Sequence, residues 1–228
     1  MRRRYCPNGD RMLLIELSEE ISVAIHNQVL ALARELEKFP TIGVVEWIPS
    51  YRSLGVIYDP DQISYRDLVA RFEALESSSN PEMKSASSTV EIPVCYGGEM
   101  GPDLNFVARH NQMSAEEVIQ IHTSVDYRVF LLGFSPGFPY LGGMSPRIAT
   151  PRLEEPRLRV PAGSVAIGGN QTGIYPTESP GGWRLIGRTP LQIFDLDREK
   201  PFLLNPGDGV RFRSVTAHEF QGLQTSRE

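Results

Sequence analysis

The sequence predicts a small α+β domain over residues 1–82 and a mainly β barrel domain over residues 89–228. Three observations lead there. The opening segment alternates strand and helix periodicities in the order βαββα; residues 77–88 are a Ser-rich run carrying Asn80 and Pro81; and Leu131 to Pro190 holds twenty of the chain's 38 Gly and Pro residues, interleaved with Phe, Tyr, Ile, Leu, Val and Trp. A flexible linker that rich in Gly and Pro would lack apolar residues to bury, and a collagen chain would place Gly at every third position. The dense turns are therefore ordered, and ordered loops are where binding groups concentrate.

Met12 to Glu16 reads as a strand. Ser22 then opens a helix in which Ile25, Val29, Leu32 and Leu36 fall on one face, and Pro40 ends it. Val44 to Trp47 and Ser53 to Tyr58 are two short β runs about a turn at Pro49 and Ser50. Ser64 and Asp67 form a capping pattern ahead of Leu68, Phe72 and Leu75, a second helix ending near Glu76. Residues 77–88 have the composition of an exposed connection. The second domain begins with the strand Val90 to Tyr96, then helices from Asp103 to His110 and from Ser114 to about Thr123, the latter capped by Ser114 and Glu117. Tyr127 to Leu132, Ser164 to Ile167, Trp183 to Ile186, Leu191 to Asp195 and Gly209 to Arg213 are short runs bounded by turn residues, the pattern of a closed antiparallel barrel.

The net charge of −5 and pI near 5.5 argue against nucleic acid as a partner, since the one basic cluster, Arg2 to Arg4, sits at a terminus. No stretch approaches the roughly 18 consecutive apolar residues of a membrane span, and Glu16 interrupts the early apolar segment too soon for a signal peptide, so a cytoplasmic protein is expected. Cys6 and Cys95 form no CxxC pair and read as small hydrophobes. His26, His110, His122 and His218 lack ligand spacing, so no metal bound by this chain is expected.

Two motifs invite catalytic readings. Gly133-Phe134-Ser135-Pro136-Gly137 satisfies the GxSxG pattern, but the residue after the nucleophile must donate its N–H to an oxyanion and Pro136 has none. Gly168 to Gly173 (GGNQTG) has the glycines of a phosphate loop without the Lys-Ser/Thr that would follow, and a tight β turn accounts for it. More informative is the crowding of Arg152, Arg157, Arg159, Arg184 and Arg188 near Ser164, Gln171, Thr172, Tyr175, Glu178 and Ser179. A guanidinium fork grips a carboxylate or phosphate, while amides and hydroxyls orient the neutral part of a small anion.

Several segments carry a resemblance to a known family: Gly133 to Gly142 (GFSPGFPYLG), Arg159 to Ser164 (RVPAGS), Gly173 to Pro176 (GIYP) and Glu178 to Arg188 (ESPGGWRLIGR). Gly9-Asp10-Arg11, Pro49 to Leu54, Cys95 to Gly98 and Gly101 to Leu104 extend it over nearly the whole chain. Together they resemble the KipI family, also described as the 5-oxoprolinase B subunit and as allophanate hydrolase subunit 1. The resemblance implies an N-terminal α+β domain followed by a cyclophilin-like barrel, and a homologous C-type (KipA-like) 5-oxoprolinase partner with a third, A-type component. It implies ATP-driven opening of the 5-oxoproline lactam to glutamate, with ATP, accompanied by magnesium, as co-substrate. Phosphorylating the amide oxygen would make a leaving group of it and open the carbon to water, so the complete site must hold a carboxylate, an amide and phosphates.

Residue chemistry assigns Arg157 or Arg188 to an anion clamp, Gln171, Ser164 and Ser179 to hydrogen bonds with the lactam or its developing charge, Tyr175 and Trp183 to the pocket wall, and His122 to proton transfer, although His122, four residues after Val118 on the apolar side of its helix, taken alone reads as a hydrogen-bonded core histidine. No constellation here is complete enough for catalysis by this chain alone. Two alternatives stand beside this reading. One is an inhibitor of a sensor histidine kinase, with Phe134, Phe138 and Tyr140 as apolar anchors; the other is a carboxyltransferase subunit of urea or allophanate metabolism, which would need a biotin carboxylase partner.

Overall fold

The computed structural model describes residues 3–78 and 89–225; most of the expected connection at 77–88, and Arg2 of the basic cluster, lie outside the described residues. By packing, the chain divides into two compact units, Met1–Ala86 and Ser87–Glu228.

The first unit contains β1 (Arg4–Pro7), β2 (Met12–Glu16), α1 (Val23–Lys38), β3 (Val44–Pro49), β4 (Ser53–Tyr58) and α2 (Tyr65–Ser78). The strands form an antiparallel sheet in the order β1-β2-β4-β3. The Ser22 hydroxyl caps α1 by accepting from the Ile25 N–H, and Phe39, the residue before Pro40, closes it. Ser64 accepts from the Asp67 N–H and donates to its carboxylate at 2.6 Å, starting α2. Val29, Leu32, Leu36, Leu68 and Phe72 of the two helices bury against Leu13, Ile15, Leu54 and Val56 of the sheet, each worth about 1.5–3 kcal/mol of transfer free energy. Strand β1 is not expected from the sequence. Its four residues include Pro7 and none is fully buried, so it carries no alternating signal and exists by pairing with β2.

The second unit contains β5 (Thr89–Tyr96), α3 (Leu104–His110), α4 (Ala115–Thr123), β6 (Asp126–Leu132), β7 (Pro139–Gly142), β8 (Arg157–Val160), β9 (Ser164–Gly168), β10 (Gln171–Ile174), β11 (Ser179–Gly181), β12 (Arg184–Arg188), β13 (Gly209–Ser214) and α5 (Ala217–Thr225). Seven strands close a barrel in the order β10-β7-β6-β13-β5-β12-β9, while β8 and β11 form a separate two-stranded ribbon. Ser114 and Glu117 make a reciprocal capping box on α4.

Two expectations need correction. The barrel is not wholly antiparallel, because β13 runs parallel to β5 over six residue pairs. Leu191 to Asp195 is not a strand; its one ladder contact is an isolated bridge between Phe194 and Phe202. The apolar residues there are real, and Ile193 buries in the barrel core without strand geometry.

Candidate functional site

A cleft of about 320 Å³ opens in the barrel unit. Its walls come from the β6–β7 turn (Phe134, Phe138), β7 (Tyr140), the residue after β10 (Tyr175), the β11 end with its following turn (Pro180, Gly181, Gly182, Trp183) and the segment before β8 (Arg152, Leu153, Pro156). Phe138 is the hub. Its ring meets Tyr175 edge-on at 5.2 Å, Trp183 at 5.5 Å and Phe134 at 5.6 Å, and tilts over Tyr140 at 5.0 Å. Such contacts add about 0.5–1.5 kcal/mol per pair beyond area burial, so the rings around Phe138 help hold one another in place.

The interleaving of glycines with aromatics has a packing cause. A Cβ at Gly168 would stand 2.5 Å from the Trp183 indole, one at Gly173 would stand 2.9 Å from the Phe138 ring, and one at Gly181 would collide with the Tyr175 hydroxyl. The rings lie directly on bare backbone. In the β6–β7 turn the Ser135 carbonyl accepts from the Phe138 N–H at 3.1 Å around Pro136 and Gly137, with φ +80° at Gly137, the pattern of a type II turn. Strand β7 follows directly, so the GxSxG residues do not sit at a strand-to-helix elbow. Phe134 takes φ +65° with its side chain 67% exposed, a left-handed conformation costly for a bulky residue.

Arg152 supplies the single charged side chain among the lining residues, its guanidinium 5.5 Å from the centre of the Trp183 ring. Burial pushes the Tyr175 hydroxyl's pKa up, against the opposing pull of a backbone hydrogen bond from Trp183 and the charges of Arg152 and Arg157. Tyr175 therefore faces the cleft as a neutral hydroxyl at physiological pH.

The residues expected from the sequence fall into three groups. Tyr175 and Trp183 line the cleft, and Ser179 precedes its rim at Pro180. Arg157 stands behind it: Nη2 pairs with Asp103 at 2.8 Å and Nη1 donates to the Trp183 carbonyl at 3.5 Å. Ser164, Gln171, Arg188 and His122 are not among the lining residues. Ser164 and Arg188 are register partners at the far end of β9 from Gly168, roughly 13 Å along the strand by the usual rise per residue. Arg188 spends its Nε on the Ala162 carbonyl. Gln171 pairs with Gly168 across a two-residue hairpin loop, Gly169-Asn170, with φ +65° at Gly169. The Gly169 N–H is already given to the Thr150 carbonyl, so this loop is a hairpin corner and not a phosphate cradle.

His122 is fully buried within the barrel unit. The Thr172 hydroxyl donates to the Ala166 carbonyl and so accepts from His122 Nε2–H at 3.0 Å; Nδ1 then accepts from the Tyr96 hydroxyl at 2.8 Å. Desolvation lowers its pKa to about 3. Both nitrogens of a neutral ring are spent, which suits a structural linker between α4, β5 and β10.

Sequence reasoning does not place Arg152 in the cleft, nor Phe134, Phe138 and Tyr140 in its walls together. The signal lies in the Gly-aromatic spacing of Gly133 to Gly142 and Glu178 to Arg188, whose joint packing no linear pattern displays.

Residues 3–204 match the family described as carboxyltransferase domain, subdomain C and D. The chain belongs to that family. Among family relatives, it is 45% identical to the 5-oxoprolinase B subunit of Bacillus subtilis (strain 168) over 95% of this chain and 94% of the relative. In solved structures it is similar to TTHA0988, with a TM-score of 0.81 and 40% identity, covering 91% of this chain and 40% of that one. It is also similar to the K. lactis urea amidolyase, with a TM-score of 0.78 and 27% identity, covering 96% of this chain and 15% of that one. The chain thus matches nearly the full length of the bacterial subunit and only a segment of the two longer polypeptides.

Within this carboxyltransferase-type chain, the cleft offers shape, aromatic surface, one cation and a neutral phenol. That set can bind and orient a small anion with an apolar body. It contains no general base within the lining and no cluster of phosphate-binding cations.

Proposed function

We propose that this chain is the B-type component of an ATP-dependent 5-oxoprolinase, turning 5-oxo-L-proline, ATP and water into glutamate, ADP and phosphate together with a homologous C-type component and a third, A-type one. The observation that carries the reading is the 45% identity to the 5-oxoprolinase B subunit along almost the whole of both chains. The aromatic cleft suits it, being sized for a small ring and furnished with one cation for one carboxylate. We assign the two units to separate domains, the barrel to the cyclophilin-like class, and the protein to the cytoplasm.

The nucleotide, with its magnesium, belongs to a partner subunit. A triphosphate needs several cations or a run of free N–H donors, whereas the cleft lining carries Arg152 alone and Gly169 has spent its N–H. This chain's residues then act on the lactam: the cage excludes water from the ring faces, Arg152 fixes the carboxylate end, and the Tyr175 hydroxyl is a neutral hydrogen-bond group beside them. A unit of this family is a segment of much longer chains in TTHA0988 and the urea amidolyase, which supports a role completed by other domains. The relationship to the urea amidolyase, at 27% identity, supports a carboxyltransferase role less directly.

The test is reconstitution. The purified chain mixed with the products of its neighbouring genes should hydrolyse ATP in response to 5-oxoproline only when every subunit is present. Kinase inhibition without turnover, or biotin-dependent carboxylation of urea, would replace this reading with one of its alternatives.

A further inference from the structure

We propose that the cleft is a subsite selective for small-ring monocarboxylates, with Arg152 as the carboxylate anchor and Trp183 and Tyr175 as the walls against the ring; the identity of the acid, a lactam, rests on the reading above. The assignment comes from comparing the five clustered arginines. Arg157 is tied to Asp103 at 2.8 Å, and Arg159 faces Glu178 at 3.9 Å. Arg184 donates to the Pro151 carbonyl and lies 3.7 Å over the Phe106 ring; Arg188 donates to the Ala162 carbonyl. Arg152 alone of the five borders the cleft, where its guanidinium makes a cation–π contact with Trp183. A guanidinium whose charge rests against an indole still has N–H donors that can grip a carboxylate in the bidentate mode.

The remaining lining decides which acid fits. Gly181 lies with its bare backbone against the Tyr175 ring and Gly182 faces Pro156, so neither adds a side chain that would narrow the cleft. Among the described residues, no second cation lines the cleft. A dicarboxylate would therefore set one charge against aromatic carbon without compensation. Opening a lactam to an amino dicarboxylate creates that charge, so the same walls that admit the ring disfavour its product.

In the reconstituted complex, Arg152→Ala should raise KM for 5-oxoproline by about tenfold to a hundredfold, the range for losing a charge-assisted bidentate contact, with kcat changed less than threefold. Arg152→Lys should recover only part of the loss. Inhibition by 2-pyrrolidinone, which has the ring without the carboxylate, should be the same in Arg152→Ala and the parent. Separately, in the free chain carrying Trp47→Phe, Trp183 emission should change saturably with 5-oxoproline, far less with glutamate, and not in the Arg152→Ala version. Turnover with unchanged KM in Arg152→Ala, or equal weakening of 2-pyrrolidinone, overturns the anchor and leaves the 5-oxoprolinase reading intact. A complex that ignores 5-oxoproline, beside an Arg152-dependent emission change with cyclic carboxylates, overturns that reading and upholds the subsite.

Discussion

Arg157 and Asp103 form a 2.8 Å ion pair whose two ends hold different parts of the β12 entry. The second Asp103 oxygen accepts the Leu185 N–H at 2.7 Å, and the second Arg157 nitrogen donates to the Trp183 carbonyl. The pair thus fixes the backbone on both sides of Arg184, and through it the indole that forms one cleft wall.

Asp103→Ala leaves a half-buried guanidinium and a buried N–H without their acceptor. The expected cost is about 2–4 kcal/mol in denaturant unfolding, and Asp103→Asn, which keeps an acceptor, should cost less. Trp183 emission should shift to the red in Asp103→Ala as its wall loosens. An unfolding midpoint equal to that of the parent would show the pair to be dispensable.

His122 gives the fold a pH dependence with a definite sign. Its folded pKa is about 3 against an ordinary value of 6.5, so between those limits the unfolded chain binds the extra proton. Stability is then fully present above about pH 6.5 and falls as pH drops toward 3. Replacing His122 with Gln should remove part of that slope while lowering stability at pH 7, since Tyr96 and Thr172 lose a well-placed partner. Equilibrium unfolding at a series of pH values reads both effects; an unchanged slope between pH 4 and 6.5 would assign the acid sensitivity elsewhere.

Much of this architecture is written in local signals. Ser22, Ser64 and Ser114 announce their helices because a side chain that caps an N–H leaves a mark within three residues. Strands β2 and β4 are legible to the residue, because each is a short apolar run with clear breaks at both ends. What escapes is long-range. The parallel pairing of β13 with β5 joins residues some 120 positions apart, and Ile193, with the apolar character of a strand residue, accepts the Leu203 N–H beside an isolated bridge instead of joining a barrel strand. The site is legible as a region. Tyr175 and Trp183 line the cleft because rings amid glycines must stack on something, whereas sequence does not say that Arg157 and Arg188 stand outside its lining with donors already bonded to Asp103 and the Ala162 carbonyl. His122 is legible in part: its place four residues after Val118 on the apolar side of its helix points to a hydrogen-bonded core histidine, and the barrel uses both its nitrogens.

Phe134 separates stability from binding. Its left-handed backbone costs on the order of 1 kcal/mol, and its ring is largely exposed, with Phe138 as its aromatic neighbour. Phe134→Asn, a residue that tolerates φ +65°, should leave the melting temperature unchanged or raise it by a few degrees. The same change should weaken 5-oxoproline binding, because one wall of the cage is gone. A lowered melting temperature with intact affinity would make Phe134 a structural residue.

The cleft between Arg152, Tyr175 and Trp183 is where the lactam should be received. A crystal structure of the assembled subunits with 5-oxoproline tests this most directly. The carboxylate should lie within about 3 Å of the Arg152 guanidinium, with the ring against the Trp183 and Tyr175 faces. A ring seated at Ser164 and Arg188, or on a partner subunit with this cleft unfilled, would contradict it.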